Sequence, residues 1–448
     1  MKKIKYIIVL IAVLLVSCTK MLDIQPNDAI SSQVAITDKS GVEKAIYGAY
    51  DAFQQAGLYG RNRVILGDLA ADNLVWTGTN MDYSQIVSHN VSIDNSIIDG
   101  MWTGAYDGIN RVNNILAALP GVGDLTETEY NMYEGEALFM RALFYFDLLQ
   151  YFGGVPIKTA PTLDVTSVNQ SRNTVDEVYD RIIEDLGNAK LLLPEPGSMS
   201  PGRANKYAAT ALLARVYLTR FQTQNDDLYA AMAASQADEV IESGKFSLTR
   251  PYSALYAGSD NSERIFQIVF SAQDKNRLAE YFMPRSMTGR YEVGPADTLI
   301  HSWDPADSVR YDASVAYDSV GYPYCVKYME LVEGSDPVLV IRLAEMHLII
   351  AEAHAYSNGD IAVIQDNINA VRDRAGLAPT TASTYDELKL AIENERRFEF
   401  AFEGHRWFDL ARTKRAKTLL GIEDYQLLFP VPLSEMTTNS LMEQNPGY

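Results

Sequence analysis

Four glutamates, Glu393, Glu395, Glu399 and Glu403, fall within one stretch of helical pattern, and a pair of carboxylates held across a cleft is what glycosidic hydrolysis requires. Arg396, Arg397, Arg406 and Arg412 are interleaved with them at helical spacing, so the carboxylates read instead as ion pairs along a packed helix. His347 and His354 share a helix face but stand seven residues apart. At a rise of about 1.5 Å per residue that is ~10 Å, too far for one metal ion. Asp304, Asp307, Asp312 and Asp318 could contribute to a Ca²⁺ site, but a solvated acidic loop is the preferred reading. The sequence contains no H-E-x-x-H, G-x-S-x-G, P-loop or EF-hand pattern. No catalytic residue, metal or cofactor is therefore assigned, and a glycoside hydrolase is the least favoured function.

The four tryptophans separate by context. Trp102 lies on the apolar stripe of a helix and Trp407 sits beside Phe408 and Leu410, so both are expected in the core. Trp76 follows Asp72-Asn73 and precedes Thr77-Gly-Thr-Asn80, and Trp303 lies in His301-Ser-Trp-Asp-Pro305, both polar contexts that read as loops. The C–H faces of sugar rings stack on indoles while Asn, Asp and Arg satisfy the hydroxyls, so these stretches suit a glycan platform. Packing of each loop indole against the domain is the alternative. The candidate ligand-binding set is Arg61, Asp72, Asn73, Trp76, Tyr83, Tyr291 and Trp303.

A different chemistry stands at the start of the chain. Lys2, Lys3 and Lys5 precede an apolar run, Ile7 to Val16, that is too short to cross a ~30 Å hydrocarbon core. The run ends in Leu15-Val16-Ser17-Cys18, which resembles a bacterial lipobox. The expectation is a signal peptide over 1–17, a lipid on the Cys18 thiol and a polar tether over 18–37, with 38–448 as the working domain. Stable anchoring needs about two acyl chains, which a lipoprotein cysteine supplies. With Cys18 so committed, Cys325 stands alone and no intramolecular disulfide is expected.

The formal net charge of −20 repels polyanions and argues against nucleic-acid binding. Helical patterns dominate the chain behind the tether. They run through Trp102–Leu116, Tyr130–Tyr151, Thr174–Leu193, Tyr207–Phe221, Leu228–Ser243, Val338–Tyr356 and Ile361–Ala375. Alanines recur where helices must approach closely, at Ala208, Ala209, Ala211 and Ala214 and again at Ala351, Ala353 and Ala355, which is the logic of tetratricopeptide-like helix pairs. The fold class is mainly α, with only short strands. Over about 246–332 the helical period fails, Ile265 to Phe270 reads as a short buried strand, and Gly, Pro, Asp and Tyr crowd the rest. A long irregular insertion on a rigid scaffold is where binding usually sits.

Five stretches carry a family resemblance. They are Cys18 to Pro26, Glu136 to Asp147 running into Tyr151-Phe-Gly-Gly-Val-Pro156, Arg342 to Leu348 leading to Ala351-Glu-Ala353, Glu393 to Arg412, and Pro430 to Glu435 with Asn445-Pro-Gly-Tyr448. In order and combination they resemble the SusD/RagB family of nutrient-capturing surface lipoproteins of Bacteroidetes. The resemblance implies a SusD-like α-α superhelix, an irregular ligand-binding half, and a lipid-anchored place on the outer membrane. It also implies a SusC-like TonB-dependent barrel as partner. Delivery of an oligosaccharide to that importer is the expected function, and peptide capture is the alternative within the family.

Overall fold

The structure, a computed structural model, describes residues 36–162, 169–197, 202–224, 226–257 and 262–448. The expected signal peptide, Cys18 and most of the tether lie outside them.

Among the described residues, nine long helices form the scaffold. They are α1 Lys39–Gln54, α2 Ser96–Ala118, α3 Glu127–Phe152, α4 Val175–Leu192, α5 Lys206–Gln224, α6 Asp227–Glu242, α7 Leu343–Tyr356, α8 Ile361–Arg374 and α9 Tyr385–Glu399. Thr126, Thr174 and Thr384 start α3, α4 and α9 with reciprocal capping boxes to Glu129, Glu177 and Glu387, which satisfy backbone N–H groups that the helix leaves free. From α1 to α8 each helix packs on the next, and α9 returns onto α7 and α8.

Small side chains allow the close approach. Ala208, Ala209, Ala211 and Ala214 of α5 are all fully buried. Gly108 of α2 lies so near α3 that a Cβ there would sit 2.2 Å from the Phe144 ring, which itself stacks on Phe53 of α1 at 3.9 Å. α3 is buried on nearly every face from Gly135 onward, as its continuous apolar sequence requires. The core is close-packed, and Trp102 and Trp407 are both within it.

The stack does not follow the chain without interruption. α6 packs directly on α7 although residues 243–342 separate them in sequence. That insertion carries short helices and strands β2 Arg264–Ile268, β3 Val293–Pro295, β4 Val315–Tyr317, β5 Pro323–Cys325 and β6 Val338–Arg342, while β1 Leu74–Trp76 lies upstream. Among the described residues the strands form three two-stranded antiparallel sheets, β1 with β3, β2 with β6 and β4 with β5. The sequence pattern predicts one helix over Val338–Tyr356. The structure pairs Val338–Arg342 with β2 and begins the helix at Leu343.

A buried ionic seam fastens the insertion to α8 and α9. Arg342 donates to Glu263 at 2.8 Å, to Glu403 at 2.9 Å and to Glu399. Arg374 bridges Glu263 and Glu399, and Arg310 bridges Asp307, Glu395 and Glu399. Each of these carboxylates is fully desolvated but paired, the condition under which a buried charge is tolerated.

Candidate functional site

β1 brings Trp76 to the rim of the helical stack and registers it opposite Val293 of β3. The loop that follows is pinned to the strand below it. Thr77 N and Gly78 N donate to Glu292 O at 3.0 and 3.2 Å, Thr77 Oγ1 donates to Tyr291 O at 2.7 Å, and Thr79 N and Asn80 N donate to Glu292 Oε2 at 2.9 and 3.0 Å. A Cβ at position 78 would lie 2.0 Å from Glu292 Oε2, so only glycine permits this approach. Asn80 then caps the short helix Met81–Val87.

Tyr291 holds a left-handed backbone conformation with φ of 52°, uncommon for a residue with a bulky side chain. It is fixed there by the Thr77 hydroxyl and by its own hydroxyl, which donates to Pro323 O at 2.8 Å. Its half-buried ring lies 5.7 Å from the exposed ring of Tyr322. Trp76 is also half-buried, and its Nε1–H is enclosed with no hydrogen-bond partner among the described residues.

Arg61 reaches the same rim from the start of the helix Asn62–Leu69. Its Nη1 donates to Tyr281 OH at 2.6 Å, its Nε donates to Asn62 Oδ1 at 2.8 Å, and its guanidinium lies 4.6 Å from the Tyr281 ring centre. Tyr83 is wholly buried beneath, edge-on to Tyr281 at 6.1 Å and bonded to Asn62 at 3.0 Å. Of the seven expected residues the structure therefore gathers Arg61, Trp76, Tyr83 and Tyr291, with Tyr83 as support under the rim.

Asp72, Asn73 and Trp303 belong to a different environment. Arg406 grips Asp72 at 2.7 and 3.2 Å and Arg397 adds a contact at 3.0 Å. Burial pushes the Asp72 carboxyl up, but these two guanidiniums outweigh it and hold the group below its ordinary range. Asn73 is buried between Asp68 and Arg397, at 2.6 and 3.0 Å. Trp303 was expected in an exposed loop and is only 6% exposed. Its indole packs on Tyr311 and Phe398 at 5.4 and 5.0 Å and donates to Asp307 at 3.0 Å, so apolar neighbours distant in sequence have covered it.

Sequence reasoning missed Tyr281, Arg277, Arg290 and Tyr322, which complete the rim. The available signal was local and weak: Lys275, Arg277, Arg285 and Arg290 cluster around Glu280, with Asp274 and Glu292 flanking them.

Glu395, Glu399 and Glu403 are held in the seam, and Glu393 pairs with Arg406 and Arg415. Burial opposes ionisation of Glu403, but Arg342 and Lys327 hold its carboxyl down to about 2. A general acid at neutral pH needs the opposite shift.

Residues 20–218 match a family described as starch-binding and associating with the outer membrane, and residues 310–426 match the SusD family. A SusD-like protein of Formosa agariphila is 27% identical over the full length of both chains. The chain belongs to the SusD/RagB family. The starch-binding protein SusD of Bacteroides thetaiotaomicron is 26% identical, with 98% of each chain covered. A solved laminarin-binding SusD-like protein superposes with a TM-score of 0.81 over 92% of this chain and 100% of its own, at 24% identity, and so shares the fold. The mainly helical stack with few short strands is thus the SusD-like architecture. A separate cavity of about 460 Å³ opens between α1 and the end of β2, lined by Tyr47, Tyr50, Gln54, Arg203 and Val269, but Arg203 there is spent on Glu136.

Proposed function

We propose that this SusD-like protein captures oligosaccharides at the bacterial surface and passes them to a TonB-dependent barrel of the SusC type, held to the outer membrane by lipid on Cys18. The observation that carries this reading is the pinned rim of Trp76 and Tyr291. The backbone that carries Trp76 and Tyr291 is fixed by hydrogen bonds before any ligand arrives, which lowers the ordering cost of binding. Relatives named for starch and laminarin binding support a glycan as the ligand. Peptide capture by strand addition is less well served at this place, because the N–H groups of Thr77 to Asn80 are already committed to Glu292. The family assignment and the spent carboxylates support binding without bond cleavage.

Titration calorimetry of wild type and Trp76→Ala against a panel of oligosaccharides tests the site. Loss of the indole should weaken binding several-fold or more, as truncation of an aromatic hot spot costs ~1 kcal/mol or above. Unchanged affinity for every saccharide bound by wild type would remove Trp76 from the site.

A further inference from the structure

Resting on the glycan-binding reading, we infer that the ligand carries an anionic group, a uronate carboxylate or a sulfate ester, received by Arg61, Arg277 and Arg290 around Tyr281. The three guanidinium carbons lie 4.6, 5.4 and 5.0 Å from the centre of that one ring. The Arg277 and Arg290 side chains are 41% and 45% exposed, so both face solvent.

The local charges do not cancel. Arg277 and Arg290 share Glu280, at 2.7 and 3.8 Å. Glu292 contacts Arg290 at 3.4 Å, but it is 2% exposed and its Oε2 is committed to Thr79 N and Asn80 N. Arg61 makes no ion pair among the described residues, and it donates hydrogen bonds to the neutral Asn62 and Tyr281. Three cations thus meet two anions. The positive surroundings are felt by Glu280, whose carboxyl is held below its ordinary range, chiefly by the Arg277 hydrogen bond.

One arginine would suffice to cover the Tyr281 ring. Gathering three costs like-charge repulsion, which an arriving anion relieves. Planar guanidiniums also match the paired oxygens of carboxylate and sulfate, which an ammonium does not. Arg290 precedes Tyr291 and lies on the segment leading into β3, whose Val293 faces Trp76. The residues that would stack a sugar ring and those that would hold its charge therefore share one edge.

The test is titration of the purified full chain in detergent micelles with tetragalacturonate, a κ-carrageenan tetrasaccharide and the neutral laminaritetraose, at low and high salt. At least one charged saccharide should bind about tenfold more tightly than laminaritetraose at low salt, with the ratio falling toward one as salt screens it. The R277Q/R290Q double variant should lose most of that ratio. The two charged probes separate uronate from sulfate recognition. If laminaritetraose binds as tightly as both charged probes, the glycan reading stands and the anionic ligand is overturned. If none of the three binds, both fall. A double variant that keeps its charge preference would overturn the assignment to these arginines.

Discussion

Trp76 and Trp303 sit in similarly polar stretches of sequence, yet the fold treats them in opposite ways. Trp76 remains half-buried at an edge, while Trp303 is enclosed by Tyr311 and Phe398 with its N–H on Asp307. Trp303→Ala should therefore cost ~3–5 kcal/mol, the range for deleting a buried large aromatic, and lower the melting temperature well below that of Trp76→Ala. Scanning fluorimetry of the two variants checks this, and equal drops would show that Trp303 is not the packing element described. Local composition was informative about Trp76 because its neighbours stay at the rim. It misled at Trp303 because Phe398 approaches from far along the chain, a contact no window of sequence displays. The arginines around Tyr281 were overlooked for a related reason: acids are interspersed with them in sequence, and only the fold brings Arg61 to join Arg277 and Arg290 at one ring.

Among the elements, the helix starts depend least on distant contacts, since Thr174 with Glu177 caps α4 by local hydrogen bonding alone. The stretch Val338–Tyr356 was the least readable. Both the strand and the helix after it are buried on nearly all sides, so neither shows an alternation of polar and apolar residues, and only β-branched Val338, Val340 and Ile341 marked the strand. The seam that this junction enters makes stability acid-sensitive. Burial opposes ionisation, but Arg342 and Lys327 depress Glu403 to about 2 and Arg374, Arg342 and Arg310 hold Glu399 lower still, while outside the seam Arg396 and Arg412 do the same for Asp409. His405 is lowered to about 3 by burial, so below its ordinary range the unfolded chain takes up the proton more readily than the folded one. For depressed carboxylates the stabilisation is present above the unfolded value and lost as pH falls toward the folded one. Both effects therefore share a sign below pH ~4.5, and Glu403 alone accounts for about 3 kcal/mol. Melting followed by circular dichroism should show a steep fall between pH ~4.5 and ~3, and a flat profile there would contradict the seam as described.

At the scale of the whole molecule, the proposed anchor and the proposed rim require the chain to work while tethered. Cys18→Ala should move the protein out of the membrane fraction or leave it unprocessed, and mass spectrometry showing an unmodified mature N-terminus in wild type would refute the lipid. The net charge of −20 opposes an anionic ligand at long range, so any preference for one has to come at short range from the arginines around Tyr281, an effect that salt weakens. The direct packing of α6 on α7 across the whole insertion has a consequence for assembly as well. A solenoid whose neighbours are consecutive can zip from one end, but here the ladder has a rung that forms only after a long excursion has been threaded and closed. The equilibrium penalty is small, because each doubling of a closed loop costs roughly 0.6 kcal/mol. The kinetic one is larger, since contacts between distant segments slow folding more than they weaken the product. A chain folding from its N-terminus completes α1 to α6 and then waits with the α6 face bare of α7, the kind of exposed apolar surface that aggregates. Assembly of this protein is thus gated by the C-terminal quarter that supplies α7 to α9.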